Sequence, residues 1–116
     1  MHKLNSMYGD KNVYIVGGLR TPIGKTNGCL RGFLPENLTS YLIKELIYKF
    51  NLPMDAVEEV ILGNAIGPGG NLARLSLLEA GLPFHVPGTT VDFQCGSSLK
   101  AINIAASLIK SGEKIG

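Results

Sequence analysis

Residues 96–109 carry a helical pattern that is apolar on almost every side. One apolar stripe consists of Leu99, Ile102, Ala106 and Ile109, and a second apolar side consists of Ile104, Ala105 and Leu108. A helix that is apolar nearly all round is buried, so it needs layers of structure on both sides. The chain is therefore expected to fold into a layered structure in which other strands and helices cover this segment.

Apolar segments of two kinds alternate along the rest of the chain. Short apolar or β-branched runs predict strands at 13–16, 57–62 and 89–93, and helical spacing predicts helices at 38–50 and 71–80. Strands alternating with helices predict an α/β fold, with 96–109 as the third helix. Residues 1–11 are interpreted as a loose leader and 12–116 as one partial domain.

Local signals mark the ends of these elements. Asn51 and Pro53 are expected to end the first helix, Asn71 to cap the second, and Gly81 to stop it. Residues 19–37 contain three glycines and two prolines and predict a long ordered or functional loop. Three strands and two helices give little cover to the last helix. The chain is therefore interpreted as a piece of a larger protein, or as one that requires partners.

Composition excludes several classes of protein. Hydrophobic residues make up 45% and charged residues 17%, so the chain can bury a core. Eleven basic and nine acidic residues give a net charge of +2, which predicts no nucleic-acid or membrane partner. The polar N-terminus does not resemble a signal peptide, and no run approaches the ~18 apolar residues that span a bilayer.

Two cysteines and two histidines form neither a disulfide scaffold nor a metal-ligand spacing. We therefore expect a cytoplasmic location, free thiols and no metal site.

The segment 92–101 (DFQCGSSLKA) contains the sharpest candidate site. A predicted strand ends, Cys95 lies on the turn, and an apolar helix starts at once. The first turn of a helix offers unpaired N–H groups and the positive end of a dipole, which stabilise a thiolate. Gly96 allows a tight turn beside the sulfur. This pattern indicates a nucleophile; the alternative is that Cys95 is a small buried hydrophobic residue, as most free cysteines are.

Other candidates carry weaker signals. The glycine-rich segment 63–71 (GNAIGPGGN) follows a strand, but neither a dinucleotide-binding fingerprint nor a phosphate-binding loop fits it, so it is interpreted as a flexible or interface-forming loop. His85 lies ten residues before Cys95 and is a candidate general base, although a loop histidine with no catalytic role is the simpler interpretation. Arg20, Lys25 and Arg31 are possible phosphate contacts or solvated charges.

The chain resembles the N-terminal portion of the thiolases, the acetyl-CoA C-acetyltransferases, from Val13 to about Ile115. The resemblance rests on several motifs in order: 20–25 (RTPIGK), 57–67 (VEEVILGNAIG), 71–74 (NLAR), 80–83 (AGLP) with 86–87 (VP), and 95–97 (CGS) leading into a helix. Each motif is weak alone, whereas all of them in order are specific. The 20–25 motif and the helix start at 71–74 favour a thiolase over a ketoacyl synthase of the same superfamily.

The resemblance implies a thiolase-like layered α/β fold, of which this chain is the incomplete N-terminal half. It implies that Cys95 accepts an acyl group from acyl-CoA as a thioester, with coenzyme A thioester as substrate and no permanently bound cofactor. It implies a homo-oligomer in the complete protein, with residues 71–74 in a region of subunit contacts. The family's second cysteine and histidines fall in parts that this chain lacks, so the isolated chain is expected to be inactive in turnover.

Two residues depart from the family pattern near the candidate site. Ser98 replaces a glycine, which would narrow the acyl pocket or crowd the helix start, and Asp92 replaces an asparagine, which would oppose a thiolate at Cys95. The alternative hypothesis is therefore a catalytically silent, truncated remnant that acts at most as an interaction or oligomerisation partner.

Overall fold

The computed structural model describes residues 12–114, and the predicted leader at 1–11 lies outside them. Within residues 12–114, three α-helices and two strands follow one another, with a short 3₁₀ helix at Met54–Ala56. They are α1 (Pro35–Lys49), β1 (Val60–Gly63), α2 (Leu72–Glu79), β2 (Gly88–Val91) and α3 (Ser97–Lys110). The α/β fold predicted from the alternating segments is confirmed.

The two strands form a parallel pair, with Val60 opposite Gly88 and Gly63 opposite Val91. Parallel neighbours require a crossover connection, and α2 supplies it. Successive side chains of a strand point to opposite faces. Val60 packs against the buried cluster under α1 and α2, whereas Ile61 lines a groove beside α3. The sheet is therefore a thin layer with α1 and α2 on one face and α3 on the other.

The core lies on the α2 side of the sheet. Its fully buried members come from α2 and the loop after it, and half-buried side chains of α1 and β1 pack against them. The buried residues are Leu77, Ala80, Leu82 and Val86, and the packed neighbours are Ile43, Ile47, Val57 and Val60. This small core fixes α2, and with it both ends of the crossover between the strands.

Helix α1 begins three residues earlier than its apolar spacing predicts. Pro35 occupies the first helical position, where its missing N–H costs nothing. The amide of the N-cap residue Leu34 donates to the Asn37 side chain at 2.8 Å, and Asn37 donates to Glu79 of α2 at 2.7 Å. The predicted end is confirmed to within one residue: α1 ends at Lys49, Phe50 is its C-cap, and Asn51 follows with φ +51°.

The predicted boundaries of α2 are confirmed. The Asn71 side chain accepts from the Arg74 amide at 3.0 Å, which is an N-cap, and Gly81 leaves the helix with φ +85°. The same Asn71 donates to the Gly88 carbonyl at 2.8 Å and accepts from the Thr90 hydroxyl at 2.7 Å. One side chain thus caps α2 and holds it to β2.

The strand predicted at 13–16 is wrong. These residues form no strand, and Tyr14, Ile15 and Val16 are exposed. An apolar run becomes a strand only where a neighbouring strand pairs with it, and within residues 12–114 none does so. The predicted loop is correspondingly longer, because irregular structure and turns extend over residues 12–34.

The full burial predicted for the last helix is also wrong. In α3 only Ser97 and Ala101 are buried, whereas Leu99 is 64% and Ile102 55% exposed. The two-stranded sheet covers one side of α3, and no other described element packs extensively on the rest of it. Leu99 and Ile102 of the predicted stripe therefore face outward, whereas Ala106 and Ile109 are half-buried.

Candidate functional site

The carboxyl ends of both strands meet at one edge of the sheet, and Cys95 lies at that edge. β1 ends at Gly63 and β2 at Val91, and the Asn64 amide donates to the Val91 carbonyl at 2.9 Å. Four residues after β2 the chain reaches Cys95, one residue before the N-terminal cap of α3, Gly96. Ligands of open α/β sheets bind at this kind of edge.

Cys95 is a free, exposed thiol. The alternative that it is a small buried hydrophobic residue is therefore wrong. The turn that carries it is tight: the Gly96 amide donates to the Phe93 carbonyl and the Ser97 amide to the Gln94 carbonyl, both at 3.1 Å. The side chain is thus presented at the start of α3, where helix N–H groups lack intrahelical partners.

Gln94 makes this turn possible by adopting φ +50°. The left-handed region costs a residue with a Cβ about 1–2 kcal/mol, so surrounding contacts have to hold it. The Gln94 amide donates to the Asp92 carboxylate at 3.0 Å. Its carbonyl accepts from both the amide and the hydroxyl of Ser97.

Asp92 therefore has a structural role in this fold. Its carboxylate accepts a hydrogen bond from the backbone two residues on, which is an Asx turn. Ser98, the other departure from the family pattern, lies on an exposed position of the first turn of α3. The expected crowding of the helix start by this side chain does not occur among the described residues.

Sequence reasoning assigned no individual role to Ser97. The residue is 4% exposed, and its hydroxyl accepts from the Phe93 amide at 2.8 Å and donates to the Gln94 carbonyl at 2.6 Å. A serine at the first position of a helix that has glycine as its N-cap is a usable signal, because serine hydroxyls readily bond to nearby backbone groups. The partners of the hydroxyl become visible only in the folded turn.

The other candidates do not join Cys95. His85 is exposed in the loop before β2, whereas Cys95 follows β2, so a four-residue strand spanning roughly 13 Å separates them. Cys29 is a free, exposed thiol in the irregular N-terminal segment. Arg20, in the same segment, is exposed and donates to the neighbouring Thr21 carbonyl at 3.2 Å.

The glycine-rich segment starts at the same edge as Cys95 and folds on itself. The Asn64 side chain donates to the Pro68 carbonyl at 3.0 Å, and a Cβ on Gly67 would overlap that asparagine. The segment then leads into the capped start of α2. The segment is therefore a compact turn at the carboxyl edge of the sheet.

Two further properties concern residues 12–114. No group of three histidine, cysteine or acidic side chains in this part of the chain comes together as a candidate metal site. Within the same range, no helix has both the length and the hydropathy needed to cross a lipid bilayer.

The fold and the site together define a class: an α/β domain that presents a cysteine at the strand–helix junction on the carboxyl edge of a parallel sheet. The profile of the thiolase N-terminal domain matches residues 13–114. The chain belongs to the thiolase family.

Solved structures and curated relatives agree with this membership. The Acat5 thiolase of Ascaris suum, crystallised in complex with coenzyme A, superposes with a TM-score of 0.84 at 35% identity over 90% of this chain and 28% of that protein. The acetyl-CoA acetyltransferase of Bacillus anthracis gives a TM-score of 0.78 at 36% identity over 83% of this chain and 25% of that protein.

A Bacillus subtilis relative named putative acetyl-CoA C-acetyltransferase YhfS is 55% identical over 101 residues, which are 87% of this chain and 27% of the relative. The chain thus spans about a quarter of the length of the proteins that it matches.

Proposed function

We propose that Cys95 accepts an acyl group from an acyl-CoA thioester, the first half-reaction of a thiolase-type acyltransferase. The observation that carries this proposal is the exposed, free Cys95 on the tight turn before α3, within the segment 95–97 (CGS). Family membership, the acetyl-CoA acetyltransferase names of the relatives and the coenzyme A in the Ascaris suum structure support the choice of substrate.

The proposed step is a thioester exchange. The Cys95 thiolate attacks the carbonyl carbon of the acyl-CoA, a bond forms between Sγ and that carbon, and the bond from the carbon to the sulfur of coenzyme A breaks. Coenzyme A leaves as a thiolate and takes up the proton that Cys95 released. The attacking sulfur belongs to the residue just before the N-cap of α3, on the tight turn that exposes it.

Complete turnover also needs proton-transfer groups, and among the described residues His85 lies at the opposite end of β2 from Cys95. Groups that act as a unit lose most of their rate when one is missing. We therefore propose that the 116-residue chain undergoes acylation without turnover. We also propose, from the resemblance to the thiolases, that the complete protein is a cytoplasmic homo-oligomer.

The test is intact-mass spectrometry of the purified chain after incubation with excess acetyl-CoA, with Cys95→Ala and Cys29→Ala in parallel. Cys29 is the matched control because it is the other free, exposed cysteine of the same chain. We expect one acetyl group on the wild-type chain and on Cys29→Ala, and none on Cys95→Ala. Equal labelling of both cysteines would show non-specific chemistry and contradict the proposal.

A chimera tests the reaction in a longer context. Residues 13–114 replace the matching segment of the Bacillus subtilis relative, and thiolysis of acetoacetyl-CoA is measured with and without Cys95→Ala. We expect turnover that the substitution abolishes. If neither the chain nor the chimera is acylated while Cys95 still reacts with iodoacetamide, the second candidate function, a catalytically silent interaction partner, is favoured; the exposed Leu99 and Ile102 are the observation that supports it.

A further inference from the structure

The hydroxyl of Ser97 bridges the two residues that precede Cys95. It accepts a hydrogen bond from the Phe93 amide at 2.8 Å and donates one to the Gln94 carbonyl at 2.6 Å. Both groups flank the Phe93–Gln94 peptide link and the left-handed Gln94. We propose that Ser97 is a positioning residue for Cys95, because its hydroxyl holds the backbone that sets the direction of the thiol.

Burial makes this bridge difficult to replace. Ser97 is 4% exposed, and both hydrogen bonds of its hydroxyl are part-buried, so bulk water does not readily take its place. The bond from the Ser97 amide to the Gln94 carbonyl survives in an alanine variant, and so does the bond from the Gln94 amide to Asp92. The alanine variant therefore loses the hydrogen-bond acceptor of the Phe93 amide and one of the two donors to the Gln94 carbonyl.

The sheet in turn fixes Ser97. A Cβ built on Gly63 would lie 2.5 Å from the carbonyl carbon of Ser97, so the last residue of β1 packs directly on the backbone of the first turn of α3. β1 thus fixes the position of Ser97, the Ser97 hydroxyl holds Phe93 and Gln94, and the backbone of these two residues sets the position of Cys95. The exposed hydroxyl of Ser98 has no such role.

The inference rests on the proposed function for what Cys95 does, but its test needs only the reactivity of the thiol. Iodoacetamide is added to the full 116-residue chain at one fixed pH, and the alkylation rates of Cys95 and Cys29 are compared in the same sample by mass spectrometry. Cys29 serves as the internal reference. Cys95 is already exposed, so displacing the turn makes the thiol little more accessible to iodoacetamide. It does move the thiol out of its position beside the start of α3.

We expect Ser97→Ala to lower the ratio of the Cys95 rate to the Cys29 rate by about two- to fivefold, the effect of losing one net hydrogen bond that holds the turn. Ser97→Thr keeps the hydroxyl and restores the ratio. Ser76→Ala is the matched control: Ser76 is also buried, but its hydroxyl has no hydrogen-bond partner within residues 12–114. It should leave the ratio unchanged.

An unchanged ratio in Ser97→Ala overturns the proposal. A lower ratio that Ser97→Thr fails to restore while that variant keeps the wild-type unfolding midpoint also overturns it, because the hydroxyl is then not the cause. If the extra methyl group of threonine lowers the midpoint, amide hydrogen exchange decides: the Phe93 amide must exchange faster in Ser97→Ala than in Ser76→Ala.

The two proposals fail separately. A chain that is not acetylated by acetyl-CoA but shows the Ser97-dependent ratio refutes the proposed function alone. A chain that is acetylated equally well with serine or alanine at 97 and shows no change in the ratio refutes the positioning role alone.

Discussion

Gly63 and Ser97 come into direct contact through their backbones, and this contact seats α3 on the end of β1. A Cβ added to Gly63 would lie 2.5 Å from the carbonyl carbon of Ser97 and 2.5 Å from the amide nitrogen of Ser98. Any side chain at position 63 would hold the start of α3 farther from the strand. The absence of a side chain at this one position therefore decides how close the start of α3, and with it the Cys95 turn, lies to the sheet.

Gly63→Ala is expected to lower the free energy of unfolding by about 1–3 kcal/mol, the usual cost of forcing an extra methyl group into a packed site. The neighbours are backbone atoms and cannot rotate away. Gly69→Ala is the control in the same glycine-rich segment, because its Cβ would meet nothing within 4 Å. Urea denaturation of both variants measures the difference, and equal midpoints would contradict the close packing.

Asn71→Ala is expected to lower the free energy of unfolding by about 2 kcal/mol, since it removes an N-cap and two further hydrogen bonds to β2. Asn71→Asp keeps the acceptor for Arg74 and Thr90 but loses the donor to Gly88, so it should fall between wild type and alanine. Thermal unfolding followed by circular dichroism ranks the three chains. An aspartate variant no better than alanine would show that the cap contributes little.

Leu77→Ala is expected to cost about 3 kcal/mol, because Leu77 is fully buried in the small core and the cavity left behind cannot collapse completely. Leu75→Ala is a matched control on the same helix, where the leucine is 49% exposed. Its cost should stay below about 1 kcal/mol. Guanidinium denaturation tests the pair, and similar losses at both positions would contradict the placement of the core.

The outward stripe of α3 is expected to bind a hydrophobic dye. Leu99 and Ile102 are more than half exposed, and contiguous apolar surface of this kind binds such probes. The double variant Leu99→Gln, Ile102→Gln should reduce anilinonaphthalene sulfonate fluorescence by about half. Asn103→Gln, a neutral polar exchange at an exposed position of the same helix, should leave it unchanged; an equal response of both variants would contradict the assignment.

Features set by a few neighbouring residues were predictable from the sequence. The C-terminal end of α1, the Asn71 cap, the left-handed Gly81 and the strand–helix junction that carries Cys95 depend on hydrogen bonds and steric limits that act over about four residues. The order of elements and the α/β class follow from the same local patterns. These were enough to locate the candidate nucleophile at the start of a helix.

Tertiary structure decided which surfaces these elements share. The apolar run at 13–16 pairs with nothing in the described chain, α3 is covered on one side only, and His85 lies at the far end of β2 from Cys95. The Ser97 bridge exists only because Gln94 turns left-handed and Gly63 lets the helix approach. Local sequence determines the conformation of a segment, but pairing, burial and the meeting of side chains depend on what another part of the chain brings into contact, and no short pattern contains that information.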